Sequence, residues 1–414
     1  MSERDHQTLG FYERRGDLEL GRGNVISTGD LATFPGSYPV YSSSAVGEGV
    51  FGRYGQHMFD EELITWSIDG GGRPFHRRKH RFSVTNVCGF LRVKRPDRWD
   101  YGYLHAVLEG LQSGIQFDYQ MKAHPSVIRE LYRFDCIPIE EQRRISSIRD
   151  TLDTTIRQTE AIIAKLKQVK QGLLHDLLTR GIDANGELRP PQSEAPHLYK
   201  ASPLGWIPCE WAASSLDSAC ADVVDCPHST PAFSNEGVLV ARTMHIKDGR
   251  FLEHIASRVS EAEYAKRIQR LAPKPGDVVF TREAPVGEAF VIPDGMRICL
   301  GQRVMLLRPS PDKLLGSFLT AQIYSGVVAD RISALTAGTT NPHLNVSEVR
   351  QFILPLPPFS EQVEIDARLN GLERRIRAEA SELEKLAVLK SGLMDDLLTG
   401  RVRVTPLLTQ PTTT

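Results

Sequence analysis

The strongest chemical signal in this chain is a run of basic side chains between positions 73 and 98. It holds Arg73, Arg77, Arg78, Lys79, Arg81, Arg92, Lys94, Arg95 and Arg98, with His76 and His80, against the single acid Asp97. Cations at this density attract phosphate, so the run predicts contact with a nucleic acid. Gly70–Gly72 would allow close backbone approach, and the side chains that could contact bases are Tyr38, Tyr41, Tyr54 and Trp66. The alternative is a solvated basic surface without a ligand.

A second set of candidate contacts lies between positions 224 and 341. Arg242, Arg282 and Arg303 stand beside predicted turns, and arginine is the side chain best suited to bidentate contact with guanine. Two polar loops add small hydrogen-bonding groups, namely His228, Ser229 and Thr230 in loop 224–231 and Thr339 and Thr340 in loop 337–341. Ordinary turn chemistry is the alternative for any single serine or threonine.

Signatures of common catalytic sites are missing from the sequence. It has no GxxxxGK[ST], no GxGxxG opening a helix, no GxSxG and no HExxH, and we find no nuclease-type carboxylate cluster. Cys220 and Cys226, with His228 nearby, are spaced more widely than the tight cysteine pairs of zinc sites, so no metal site is predicted. The net charge of −1 makes the basic run a local feature. These patterns favour a non-catalytic binding protein.

The elements that must position these residues include an internal repeat. Residues 138–179 and 358–399 align without a gap at a constant offset of 220 positions. Both copies begin with Pro-x-x-Glu-Gln and end with Lys-x-Gly-Leu-x-x-Asp-Leu-Leu-Thr. The period is far longer than that of a solenoid, so it indicates duplication of a whole domain plus a helix.

Each copy is predicted to form one long amphipathic helix, because apolar residues recur at alternating steps of three and four. The predicted seam of the first copy is Ile145, Ile148, Leu152, Thr155, Thr159, Ile162, Leu166, Val169 and Leu173. That of the second copy is Ile365, Leu369, Leu372, Ile376, Leu383, Leu386, Leu393 and Leu397, interrupted by Glu379 and Lys390. About 40 residues at 1.5 Å per residue give a rod of about 60 Å. We expect the helices to pair antiparallel as a spacer between two globular regions; packing of each helix on its own domain is the alternative.

The expected fold class is α+β, because both globular regions show short β-rich runs broken by Gly and Pro. The predicted segments are domain 1–137, helix 138–180, linker 181–203, domain 204–357, helix 358–400 and tail 401–414. No apolar run approaches the ~18–20 residues that cross a membrane, and the sequence starts without a hydrophobic signal. We therefore expect a cytoplasmic protein with free thiols.

The repeated helix ends, the Leu204-Gly-Trp-Ile-Pro208 start of the second domain and the Asp225–Pro231 loop resemble the DNA specificity subunit of type I restriction-modification systems. The first domain departs from that pattern, since it offers only Leu9-Gly10-Phe11-Tyr12 at its start. The resemblance implies a non-catalytic chain with two target-recognition domains. Each domain would bind one half of an asymmetric, bipartite double-stranded DNA target, and the helices would set the gap between the halves.

The resemblance also implies partners. Two methyltransferase subunits would dock on the helical regions, for which the candidate residues are Glu141, Gln142, Lys170, Asp176, Glu361, Gln362, Lys390 and Asp396. S-adenosylmethionine would be bound by those subunits, and ATP and Mg by any restriction subunit, so this chain itself would hold no cofactor. A rod of about 60 Å bounds the distance between half-site centres at roughly 17 base pairs, with one turn of about 34–36 Å as the lower bound. The alternatives are a stand-alone DNA-binding or scaffold protein without methyltransferase partners, and a nuclease.

Overall fold

In a computed structural model the chain forms two compact units. The structure describes residues 6–43, 47–115, 117, 121–325, 327–338, 340 and 342–408. Unit 1 comprises the described residues up to Ala161 and those from Ala380 onward, and unit 2 runs from Ile162 to Glu379. The prediction of an α+β fold with two β-rich domains and two long helices packed together is confirmed.

Unit 1 is organised around one six-stranded sheet. In chain order its elements are β1 (Gln7–Thr8), α1 (Leu9–Arg14), β2 (Leu18–Arg22), α2 (Thr28–Thr33), β3 (Tyr38–Tyr41), β4 (Val50–Tyr54), β5 (Phe59–Ser67), β6 (Pro74–Val84), β7 (Cys88–Val93), α3 (Tyr101–Ser113), α4 (Pro125–Leu131), β8 (Arg133–Phe134) and the first part of α5 (Ile139–Thr179). The order within the sheet is β2-β7-β5-β6-β3-β4, so β2 and β4 are its edges.

Unit 2 begins in the last part of α5 and is organised around two four-stranded sheets. Its further elements are β9 (Tyr199–Ser202), β10 (Gly205–Pro208), β11 (Ala212–Ser215), α6 (Leu216–Ala219), β12 (Cys220–Asp225), β13 (Phe233–Ser234), β14 (Val238–Ala241), β15 (Ile246–Lys247), β16 (Arg250–Phe251), β17 (Arg258–Val259), α7 (Glu261–Arg267), β18 (Val278–Thr281), β19 (Ala289–Val291), β20 (Ile298–Leu300), β21 (Val304–Pro309), α8 (Gly316–Tyr324), α9 (Val327–Thr336), α10 (Val346–Arg350), β22 (Ile353–Leu356) and the first part of α11 (Phe359–Leu398). The sheet orders are β12-β21-β18-β19 and β13-β17-β14-β20. A short helix, α12 (Thr405–Leu408), follows α11 in unit 1.

Each unit buries residues of both long helices in its own core. In unit 1, Ile145 of α5 and Leu397 of α11 join a cluster that includes Trp99 and Leu104. In unit 2, Leu177 of α5 and Ile365 of α11 join a cluster that includes Phe280 and Phe318. The apolar faces of the two helices are therefore covered by domain residues as well as by each other.

A buried glutamine fastens α5 to the domain of unit 1. Gln142 is fully buried; its side-chain oxygen accepts from the Asp100 amide at 2.9 Å, and its amide group donates to the carbonyl oxygens of Arg98 and Ile137, both at 2.8 Å. Asp100 is the N-cap of α3, so one side chain ties the start of α5 to the start of α3.

Gln362 repeats this arrangement in unit 2. Its oxygen accepts from the amide of Leu315, the N-cap of α8, at 2.9 Å. Its amide group donates to the carbonyls of Lys313 and Pro357, both at 2.9 Å. The glutamine of each repeat thus forms equivalent hydrogen bonds to the loop before a domain helix. We call this arrangement the glutamine lock.

The glutamate of each motif is also engaged within the chain. Glu141 pairs with Arg403, with N–O distances of 2.6 and 2.9 Å. Glu361 pairs with Arg189 at 2.5 Å and accepts from the Trp211 indole at 3.1 Å. In both units the start of one long helix is therefore joined to the segment that follows the other.

The helices run antiparallel where they pack together. In unit 1, Lys390 of α11 pairs with Asp153 of α5 at 2.5 Å. In unit 2, Lys170 of α5 pairs with Glu373 of α11 at 2.6 Å. These two ion pairs join equivalent positions of the repeat, so the duplicated sequence forms the same contact twice.

The seam predicted for the first copy was wrong at Ile162 and Val169. Both side chains are largely exposed, at 42% and 45%, whereas Ile163 and Lys170 are partly buried. At these two positions the observed seam is one residue further along the helix than predicted. One of its members, Lys170, is polar and forms an ion pair with Glu373. Among the described residues, no helix is long and apolar enough to span a membrane.

We predict that Gln142→Ala destabilises unit 1 by about 2–4 kcal/mol, since it leaves one amide and two carbonyl groups without partners in a buried site. Chemical denaturation followed by circular dichroism measures the change. Gln171→Ala is the matched control, because Gln171 is exposed on the same helix and alanine favours helix. Equal stability of the two variants would contradict the proposed importance of the lock.

Candidate nucleic-acid interface

Four predicted contact residues of unit 1 are exposed along β6 and the turn before it, namely Arg73, Arg78, Lys79 and Arg81. Arg81 donates to the Tyr38 hydroxyl at 3.2 Å and to the Asp60 carboxylate at 3.1 Å, and these hydrogen bonds raise its pKa. Arg78 lies 3.5 Å from Glu62 and 2.6 Å from Asp150. Both arginines are therefore already paired with carboxylates.

Three other predicted residues of unit 1 lie inside it. Arg77 is 5% exposed; its guanidinium carbon lies 3.6 Å from the centroid of the buried Tyr41 ring, and burial lowers its pKa. Trp66 is buried and donates its indole N–H to the Ala123 carbonyl at 2.8 Å. These side chains pack the sheet, and DNA contact by them would require the domain to open.

A polar groove of about 660 Å³ runs beside Arg78 along the first part of α5. Its lining includes Arg143 and the hydroxyl groups of Thr151 and Thr155. Both threonine hydroxyls donate to the carbonyl one turn earlier, at 2.8 and 2.9 Å, which leaves them as acceptors only. The lining also contains Asp100 and Asp150, so the charges of the two arginines are balanced by two carboxylates within the groove.

Two of the predicted contact residues of unit 2, Arg282 and His228, meet at Asp225 at the end of β12. Its carboxylate lies 3.1 Å from the buried Arg282 guanidinium and 3.3 Å from the exposed His228 imidazole. Arg282 also donates to the Leu344 carbonyl at 2.9 Å, and its backbone amide donates to Arg303 at 2.9 Å. Arg282 is 7% exposed, so it supports the surrounding loops from below.

The loop that carries His228, Ser229 and Thr230 is held by side chains that the sequence patterns did not indicate. Arg267 of α7, itself buried, donates to the Ser229 carbonyl at 3.1 Å. Gln302 donates to the His228 carbonyl at 2.6 Å. The three predicted residues are exposed, so the loop presents polar groups on a fixed backbone.

Arg303 follows Gln302 and projects from the same region. Its φ of +67° is uncommon for a side chain other than glycine, and its side chain is 56% exposed and 3.3 Å from Glu283. Arg242 lies near the same region, since a Cβ built on Gly301 would meet its Cγ at 2.8 Å, and its guanidinium carbon is 5.2 Å from the centroid of the exposed Phe233 ring. Thr340 is exposed, whereas Thr339 lies outside the described residues.

The structure therefore joins His228, Ser229, Thr230, Arg282 and Arg303 through shared hydrogen bonds and the Asp225 carboxylate. Sequence reasoning missed Arg267 and Gln302, whose role depends on contacts with residues 38 and 74 positions away. Within the described parts of the chain, no group of three side chains is arranged to hold a metal ion. Both units expose arginines, and in unit 2 they stand beside a fixed polar loop, so each unit presents groups of the kind that contact a polyanion.

Comparison with known proteins identifies the family. The family described as type I restriction modification DNA specificity domain matches residues 243–387. The MjaVIII specificity subunit of Methanocaldococcus jannaschii, a type I restriction enzyme subunit, is 23% identical over 396 residues, covering 89% of this chain and 87% of the relative. A putative type I specificity subunit of Mycoplasma pneumoniae is 30% identical over 198 residues, covering 47% of this chain and 58% of the relative.

Solved structures show the same fold. The S subunit of a type I restriction-modification system from M. genitalium superposes with a TM-score of 0.59 at 13% identity, covering 96% of this chain and 98% of the other. A chain from a study of type I R-M complex assembly gives 0.51 at 16% identity, covering 92% and 97%. These matches support a type I restriction-modification DNA specificity subunit, a non-catalytic subunit that recognises the DNA target. The predicted family and class of function are confirmed.

We predict that Arg303→Ala weakens binding to the cognate DNA by about 1 kcal/mol or more, because an exposed guanidinium beside the fixed loop is lost. Fluorescence anisotropy at fixed salt concentration measures the affinity. The matched control is Arg297→Ala: Arg297 is also 56% exposed in unit 2 and pairs with a glutamate, Glu261, at 2.6 Å. Equal losses for both variants would indicate a general effect of charge rather than a contact by Arg303.

Proposed function

We propose that this chain directs DNA methyltransferase subunits to an asymmetric, bipartite target, with unit 1 binding one half-site and unit 2 the other. The observation that carries the proposal is the repeated glutamine lock, which anchors two different β-rich domains to equivalent ends of a duplicated helix. The shared anchor supports a common partner, and the different domains support different half-sites. S-adenosylmethionine would reside in the partner.

The difference between the domains supports an asymmetric target. Unit 1 uses one six-stranded sheet, whereas unit 2 uses two four-stranded sheets. Their exposed arginines stand on unrelated elements: β6 in unit 1, and the turn before β21 in unit 2. Two surfaces of different shape and charge pattern would bind different base sequences.

The continuity of the two long helices supports a fixed gap between the proposed half-sites. α5 has 41 residues and α11 has 40, and each contributes residues to both units. At 1.5 Å per residue each helix is about 60 Å long, which bounds the spacing at roughly 17 base pairs. In this proposal the helices fix the number of unspecified base pairs.

The docking surface for the partner would be a stripe that occurs once in each long helix. The stripe contains Lys165, Val169 and Gly172 in α5, and Lys385, Leu389 and Gly392 in α11, at equivalent positions. All six residues are exposed, and a Cβ added to either glycine would meet no atom within 4 Å. A glycine inside a helix costs about 1 kcal/mol relative to alanine, so its repetition without an internal cause supports close approach by another chain.

The predicted docking residues have other partners within the chain. The glutamine locks are formed by Gln142 and Gln362. The buried Glu141 and Glu361 pair with arginines, and Lys170 and Lys390 form the ion pairs between the helices. Asp176 pairs with Arg180 at 2.8 Å and Asp396 with Arg401 at 2.9 Å. Their role in docking stays a prediction; we place the direct contact on the neighbouring stripe, which they would support indirectly. Two equivalent stripes favour two copies of one partner over a scaffold without methyltransferases.

The test of the function is adenine methylation mapping. DNA from cells that express this chain with its candidate methyltransferase is compared with DNA from cells that express the methyltransferase alone. We expect a bipartite, asymmetric methylated motif that appears only when this chain is present. A stable complex of the two proteins that produces no new motif would contradict the directing role and would favour the scaffold alternative.

For the docking stripe we predict that Gly392→Gln reduces the methyltransferase subunits that copurify with the chain from two to one, because a side chain would block one of the stripes. Gly371→Gln in the same helix is the matched control, since its built Cβ also meets no atom within 4 Å but the equivalent position in the first copy is Thr151. Mass measurement of the purified complex reports the stoichiometry. Retention of two subunits by the Gly392→Gln variant would place the docking surface elsewhere.

A further inference from the structure

The edge of the unit 1 sheet carries a surface that the basic run does not explain. Strands β3 and β4 pair antiparallel through Tyr38 with Tyr54 and Pro39 with Arg53. The registered pairs between β3 and β6 involve only Val40 and Tyr41. The end of the ribbon that contains Tyr38 and Arg53 is therefore a two-stranded segment at the edge of the sheet.

This end of the ribbon combines aromatic rings with cations. The Tyr38 ring lies edge to face with His57 at 5.1 Å, and Phe34 with Tyr54 at 6.1 Å. Arg81 reaches the ribbon from β6 through its 3.2 Å hydrogen bond to the Tyr38 hydroxyl. The aromatic pairs fix the side chains around an exposed surface instead of filling a core.

Arg53 is the cation of β4 at this end of the ribbon, and it shares a face with its registered partner Pro39, opposite the face of Tyr38 and Tyr54. Its guanidinium donates to the Ser37 carbonyl at 2.8 Å, and the residue is exposed. One fixed donor leaves the rest of the guanidinium fork available for a further acceptor. Asp60 is already paired with Arg81 at 3.1 Å, so this carboxylate does not neutralise Arg53.

The same strand also exposes apolar side chains. Val50 and Phe51 of β4 are 44% and 42% exposed. Apolar contact suits the methyl group of thymine, and arginine suits the O6 and N7 acceptors of guanine. The major groove of DNA, about 12 Å wide, admits a two-stranded ribbon but not a broad sheet.

We propose that the β3–β4 ribbon of unit 1 enters the major groove of one half-site, where the exposed Arg53 contacts a base edge. The inference rests on the proposed function and names the element of unit 1 that determines its base preference. Double-stranded DNA is the occupant because an exposed arginine, exposed apolar side chains and a ribbon of suitable width occur together. In this arrangement the exposed arginines of β6 contact phosphates and position the ribbon.

The experiment uses the full chain, coexpressed with its methyltransferase, and maps adenine methylation for wild type, Arg53→Ala, Arg53→Lys and Arg14→Ala. Arg14 is the matched control because it is an exposed arginine of unit 1 on α1, with a side chain 68% exposed. Lysine keeps the charge of Arg53 but loses the planar fork that makes bidentate contact. The unfolding temperature and the subunit stoichiometry of each complex confirm that the variants fold and assemble.

We expect both Arg53 variants to relax one base position of a single half-site, raising methylation of sites altered at that position by roughly tenfold or more relative to the cognate site. The other half-site and the Arg14→Ala motif stay unchanged. An unchanged motif in the Arg53→Ala variant overturns the inference while leaving the proposed function intact. A uniform loss of methylation that lysine restores also overturns it, because Arg53 then contacts phosphate. Absence of any bipartite motif with the wild-type chain overturns the proposed function itself.

Discussion

Two buried glutamines attach the long helices to the β-rich domains, one in each unit. The Gln142 amide satisfies one backbone donor and two backbone acceptors at once, and Gln362 does the same in unit 2. An apolar residue would leave three buried groups unpaired, each costing about 1–3 kcal/mol. A glutamate could accept but not donate, so the chemistry of the site requires an amide. The amide and one carbonyl lie in the loop before a domain helix, and the other carbonyl lies just before the long helix. These are backbone groups, so the lock places little constraint on the side chains of the domain.

The helices and their duplication follow from the sequence because periodicity and repetition are local signals. The ends of α5 and α11, at Ile139 and Thr179 and at Phe359 and Leu398, agree closely with the predicted segments. The register of the first seam was not predicted correctly from the sequence. Its polar positions are stabilised by partners far away in the chain, such as Glu373 for Lys170. Applying the register of the second copy to the first, at the offset of 220, would have placed Ile163 and Lys170 correctly.

The candidate surfaces were predictable only in part, for a related reason. The basic run of unit 1 is visible in the sequence, but the acids that neutralise it are not: Arg92 pairs with Glu19 and Glu61, which arrive from β2 and β5. The sequence pattern also cannot show which aromatic residues near the run are buried: Trp66 is buried, whereas Tyr38 on β3 is only half-buried. Sheet pairing decides both outcomes, and pairing is a long-range property.

These ion pairs bear on how a chain with a net charge of −1 binds a polyanion. Arg78, Arg81 and Arg303 each face a carboxylate in the structure. If these arginines contact phosphate as proposed, each exchanges one anionic partner for another, and the free energy gained at each is a difference between two similar terms. In the same proposal, discrimination between sequences would depend on groups held in place before binding. The His228 loop, fixed by Arg267 and Gln302, is such a group, because a matching base edge would cost it little reorganisation.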